Sequence, residues 1–168
     1  MTMDQERELD ITYTFNVTES TSPDYRCSKS VINWIKSNLE GLTDDKGNTI
    51  FSKVNYGYNE DTLKGFGKKP VADVYINNIE YSSTLYDNTP RKVHSIIICY
   101  LKGKMNNTYE KACELTDFLI QEFEETNSFR ELATIVRNTD VSNVEIQVIP
   151  NGKTYGVICA FELEHELY

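Results

Sequence analysis

The segment Val93–Leu101 is apolar at almost every position, and Ile96-Ile97-Ile98-Cys99-Tyr100-Leu101 runs without a break. It is far shorter than the roughly 18 residues that cross a bilayer, and it has the length of a strand. A strand that faces water on one side alternates apolar and polar residues, whereas one covered on both sides does not. The segment is therefore expected to be the central strand of a sheet, and the rest of the chain has to be arranged around it.

Other segments supply the outer parts of such a sheet. Leu9, Ile11, Tyr13, Phe15 and Val17 alternate with Asp10, Thr12, Thr14 and Asn16, which predicts a half-buried leading strand. A polar stretch from Thr18 to Asp24 follows, with Pro23 in it. Val31, Trp34, Ile35, Leu39 and Leu42 fall near helical spacing and predict a helix over Ser28–Leu42, with Trp34 in the core and Gly41 and Gly47 marking the exit. Strands are expected over Ile50–Tyr58 and Val71–Ile76, separated by a charged, glycine-bearing loop, with a turn-rich connection over Asn77–Pro90. Asn107 and Glu110 form a capping-box pattern that opens a helix running to about Thr126. Its apolar stripe is Tyr109, Ala112, Cys113, Thr116, Leu119, Ile120 and Phe123. A short helix over Ser128–Val136 comes next. The chain then closes in a hairpin: Val144, Ile146 and Val148 alternate on one strand, Asn151-Gly152 supplies the turn, and Val157, Cys159, Phe161 and Leu163 form the inner face of the returning strand.

These elements predict an α+β fold in a single domain, a mostly antiparallel sheet flanked by helices in the order α-β-β-β-α-α-β-β, with an extra N-terminal strand. Residues 1–23 form the strand and its linker, and residues 24–168 form the domain. A length of 168 residues fits one core.

Charge and residue inventory narrow the function. The net charge is −9, from 17 basic against 26 acidic residues, which argues against tight binding of nucleic acid. There are 2 His, and no G-x-S-x-G elbow, so a nucleophile with a base beside it is not evident and no enzyme is expected. No cofactor and no metal are expected either. Glu162, Glu164 and Glu166 share a strand face beside His165, but nothing completes a coordination shell. Lys64-Gly65-Phe66-Gly67-Lys68-Lys69 lacks phosphate-loop spacing and precedes a strand, so it reads as a basic-aromatic loop, either a contact arm or simply a connection. The 4 cysteines form no C-x-x-C pair, and they read as buried free thiols of a reducing compartment. The first residues hold no apolar signal core, so secretion is not expected.

From Ser28 to Leu163 the order resembles the tail terminator (tail completion) proteins of tailed phages. The likeness rests on the helix ending in Trp34-Ile35-Lys36-Ser37-Asn38-Leu39-Glu40 and on the Lys69–Ile76 strand that follows a variable loop. It continues through the apolar strand Ile96–Tyr100, the long helix, and the late pairing of Val144–Val148 with Tyr155–Phe161. The leading strand is outside that pattern. The resemblance implies a structural protein of the virion, assembled in the host cytoplasm. It would form a homo-oligomer, a hexameric ring that caps the tail tube and docks the head. Its partners would be the tail tube protein and a head or neck connector protein. DNA would pass through without specific binding, and no membrane would be involved. The alternatives are another neck or head-completion subunit, or a small cytoplasmic ligand-binding module.

A ring needs a contact between two different surfaces whose rotation closes, and strand edges serve that purpose. The expected contact residues are Ile11, Tyr13 and Phe15 of the leading strand, Lys64, Phe66 and Lys68 of the loop, and Phe161 of a C-terminal edge. Glu110, Glu114, Asp117 and Glu122 of the long helix, or the acidic tail, are the expected lumen-facing carboxylates, because a negative wall repels phosphates.

Overall fold

In the computed structural model, which describes residues 27–57, 69–81, 90–124, 136–151 and 154–167, the apolar segment is the middle strand of a five-stranded sheet. In chain order the elements are α1 (Cys27–Gly41), β1 (Lys53–Tyr56), β2 (Val71–Tyr81), β3 (Pro90–Gly103), α2 (Met105–Glu124), β4 (Val136–Asn151) and β5 (Thr154–Leu167). The strands lie in the order β1-β2-β3-β5-β4, and every pairing is antiparallel except that of β1 with β2. Ile97, Ile98, Cys99, Tyr100 and Leu101 are all buried although they point alternately to opposite faces, as expected of a central strand.

One face of the sheet carries the core. Ala72 and Val74 of β2, Ile97 and Cys99 of β3, and Cys159, Phe161 and Leu163 of β5 pack against Val31, Ile35 and Leu39 of α1 and Ala112, Leu115, Leu119 and Phe123 of α2. Helix α1 lies over β1, β2 and β3, and α2 lies over β3, β5 and β4, so both helices cover the same face. Phe123 meets Phe161 edge to face, with ring centroids 5.7 Å apart.

Several boundaries differ from the sequence expectation, for physical reasons. Strand β2 continues to Tyr81 through what reads as a turn, because a bulge between Ile76 and Asn78 breaks the alternation and returns Ile79 to the core side. Strand β4 begins at Val136, not Val144, and its bulges between Val136 and Asn138 and between Val141 and Asn143 disguise it in the same way. The expected short helix over Ser128–Val136 lies outside the described residues except for Val136, which opens β4. Helix α2 starts at Met105, so Asn107 sits within its first turn and is not its cap. Tyr109, expected on the inner stripe of α2, is largely exposed, while Leu115 is buried in its place. Asn151 is the last paired residue of β4, opposite Thr154. The leading strand and the loop over residues 58–68 lie outside the described residues.

Gly103 ends β3 directly under α2. A β-carbon placed there would lie 2.6 Å from Oγ1 of Thr108, a buried, β-branched and therefore stiff side chain. Gly103→Ala should destabilise the fold by about 1–3 kcal/mol through overpacking, measured as a lower urea midpoint with an unchanged slope.

Candidate functional site

The two histidines occupy opposite faces of the sheet. His165 points into the core, where its Nε2 lies 2.7 Å from Ser95 Oγ and its Nδ1 lies 2.9 Å from Thr139 Oγ1. The Trp34 ring closes over it edge to face, with centroids 5.6 Å apart. Burial, with a smaller contribution from His94, lowers the His165 pKa to about 3. A neutral imidazole offers one donor and one acceptor, and two hydroxyls satisfy both. Sequence reasoning did not bring Ser95 and His165 together. Although they form a serine–histidine pair, all three polar groups are sealed from solvent. A base with so low a pKa would also be a poor acceptor of a serine proton. The cluster therefore fastens β3, β5 and β4 to one another and to α1.

His94 lies on the opposite face, with its ring nitrogens 3.5 Å from Glu80 Oε2 and 3.9 Å from Glu164 Oε1. Lys92 Nζ is 3.7 Å from the other oxygen of Glu164. As the alternation predicts, Glu162, Glu164 and Glu166 point to this face. Register adds Asp140 and Glu145 of β4, so the surface carries many carboxylates. On α2, Glu110, Glu114 and Asp117 are exposed along one stripe. Glu122 is half-buried and about 120° around the helix from Glu110, whereas Glu124 falls near the stripe. Glu114 is paired with Lys111 at 2.7 Å. Among the described residues, no group of three or more His, Cys, Asp or Glu side chains could hold a metal ion. No helix among them is long and apolar enough to cross a membrane.

Phe161 has to be reassigned. It is fully buried, and β5 lies between β3 and β4, so neither its side chain nor its strand edge is open to a partner. The edge at this end of the sheet belongs to β4, whose outer side is unpaired among the described residues. There Ile146 and Val148 point to the core side yet remain 38% and 40% exposed. Val148, Val157 and Tyr155 line a hollow of about 350 Å³ with Asn106, Tyr109 and Glu110 of α2. The other expected contact residues, Ile11, Tyr13, Phe15, Lys64, Phe66 and Lys68, lie outside the described residues.

A larger cleft of about 700 Å³ opens at the end of the sheet where β3 gives way to α2. Lys69, Lys102, Lys104 and Lys111 surround it, Asp44, Asp45 and Glu114 lie among them, and Leu115 and Phe118 form part of its apolar wall.

Two of the thiols, Cys99 and Cys159, are chemically quiet. Cys99 and Cys159 are register partners on β3 and β5, and both are buried. Burial pushes the Cys99 thiol well above its usual range, and it also raises Cys159 against the opposing hydrogen bond with Thr116. In the folded protein at pH 8, iodoacetamide should leave Cys99 and Cys159 unmodified while half-buried Cys113 reacts. In urea all three should react, as read by peptide mass mapping. No family model matches the chain, and no curated protein matches it either.

Proposed function

We propose that this chain is a structural subunit of a tailed-phage virion, a tail terminator that closes into a hexameric ring on the end of the tail tube and presents the docking face for the head. The observation that carries the reading is the element order. The described elements run α-β-β-β-α-β-β with one sheet, and β5 of the late β4–β5 pair lies beside β3; this agrees with the order of the resemblance apart from the short helix, which falls outside the described residues. Two surfaces fit the role. The edge of β4, unpaired among the described residues, offers one half of a contact between copies. The carboxylates of the sheet face opposite the helices, or the Glu110–Glu114–Asp117 stripe, provide a wall along which DNA slides without sticking.

Electron micrographs of tail tubes grown with and without the purified chain test the reading. With it, tubes should end in a ring and stop lengthening. Bare ends at saturating chain, or rings found only at the head vertex, would assign the protein elsewhere in the neck or outside the virion.

The lysine-rimmed cleft supports a second reading, a small module that binds an anionic ligand with an apolar body. That reading requires a chain that stays monomeric and whose melting temperature rises with such a ligand.

A further inference from the structure

Edge strands in natural proteins are usually blunted by lysine, proline or an inward-pointing charge, because a bare edge recruits further strands. Strand β4 has its bulges before Asn143 and its proline at Pro150, but between Asn143 and Ile149 it carries no lysine, arginine or proline, and its one charge, Glu145, points to the face opposite the helices. On the helix-covered face Val144 packs against the core, Ile146 and Val148 stay partly exposed, and exposed Tyr109 of α2 lines a hollow with Val148. An additional strand at this edge would need apolar residues at alternate positions to extend the core, and polar residues between them to extend the surface of Asn143, Glu145 and Gln147.

Residues 9–17 have that pattern: Leu9, Ile11, Tyr13, Phe15 and Val17 on one side, Asp10, Thr12, Thr14 and Asn16 on the other. In the proposed ring a neighbouring copy presents such a segment at this edge.

We propose that residues 9–17 of one copy add as an outer strand to the β4 edge of the next. The contact joins two different surfaces and leaves one of each free at the ends of any open chain of copies, so it propagates and closes only as a ring. The inference deepens the proposed ring and rests on that reading for the second copy.

Three full-length proteins test it: the wild type, an arm variant (Ile11→Lys, Tyr13→Lys, Phe15→Lys) and an edge variant (Ile146→Lys, Val148→Lys). Because Ile146 and Val148 are partly exposed, the edge variant should melt like the wild type. By sedimentation the wild type should associate and each variant alone should be monomeric. An equimolar mixture should stop at a dimer of one copy of each, since only one productive contact remains. A labelled peptide of residues 7–19 should bind the arm variant and bind the edge variant at least tenfold more weakly. Wild-type oligomers that survive in both variants would overturn the arm exchange while leaving the ring reading intact. A wild type that stays monomeric at high micromolar concentration while its arm variant binds the peptide would place the strand on its own copy and overturn exchange between copies. A peptide that binds neither variant would overturn the edge as its site.

Discussion

Phe161→Ala should unfold the domain before it disturbs any partner. The ring is fully buried, sits opposite Ile97 and Val144 across the sheet, and meets Phe123 edge to face from α2. Truncating a buried phenylalanine costs about 3–5 kcal/mol, through lost transfer energy and the cavity left behind. Domains of this size are stable by only about 5–15 kcal/mol, so the loss is a large share of the total. Urea denaturation followed by far-UV circular dichroism should show a markedly lower midpoint. A partner-contacting side chain, the role its strand pattern suggests, would instead leave the midpoint near that of the wild type while association fell. The same substitution thus separates a core role from an interface role in a single measurement.

The second large effect is a loss of stability in acid that traces to His165. Its pKa in the folded chain is about 3, and in the unfolded chain it is near the ordinary histidine value of about 6.5. Above pH 6.5 both states hold a neutral ring, and the fold keeps its full stability. Between those two values the unfolded chain binds a proton that the folded chain refuses. Stability therefore falls as pH drops, by about 1.4 kcal/mol per pH unit, and by on the order of 5 kcal/mol at pH 3. Urea melts at pH 7, 6 and 5 measure the slope. The control is the triple variant Ser95→Ala, Thr139→Val, His165→Leu, which removes the ring together with both hydroxyls that it satisfies. It should lose this component of the slope while staying within about 2 kcal/mol of the wild type at pH 7. His165→Leu alone should cost more, about 2–4 kcal/mol, because it leaves Ser95 and Thr139 buried without the ring they bond. Equal slopes in wild type and triple variant would show that other groups govern the acid response.

What could be read from the sequence followed the physics of burial. β3 is legible because burial on both faces leaves an uninterrupted apolar run, and the inner face of β5 because nothing interrupts its alternation. β4 is only half legible. Its core-side residues Val136, Thr139, Val141, Val144, Ile146 and Val148 are spaced by three, two, three, two and two, since each bulge inserts a residue. β2 fades at Asn77 for the same reason. The place of β5 inside the sheet has no local signal at all, which is why Phe161 read as an edge residue. The histidine cluster is a sharper case. Its three residues come from three strands, so no motif announces it, yet one clue was available. The period that puts Glu162, Glu164 and Glu166 on one face puts His165 on the other, in line with Leu163 and Leu167. The acidic stripe of α2 was legible for Glu110, Glu114 and Asp117 by spacing, but counting charges alone admitted Glu122, which the helical period turns aside.

The insertion of β5 between β3 and β4 has a consequence for biosynthesis. During translation β3, the most apolar strand, emerges well before β5, and one long edge of it, from Lys92 to Gly103, finds its partner only in Tyr155–Glu166. Roughly sixty residues must still be added, which takes several seconds at about 5–20 residues per second. Throughout that interval the nascent chain exposes a sticky strand and a half-built core, and no amount of early folding can hide them. β5, made after both of its neighbours, is thus the wedge that completes the sheet. Transcripts that stop early, or ribosomes that stall before residue 154, would release aggregation-prone fragments and not smaller functional domains.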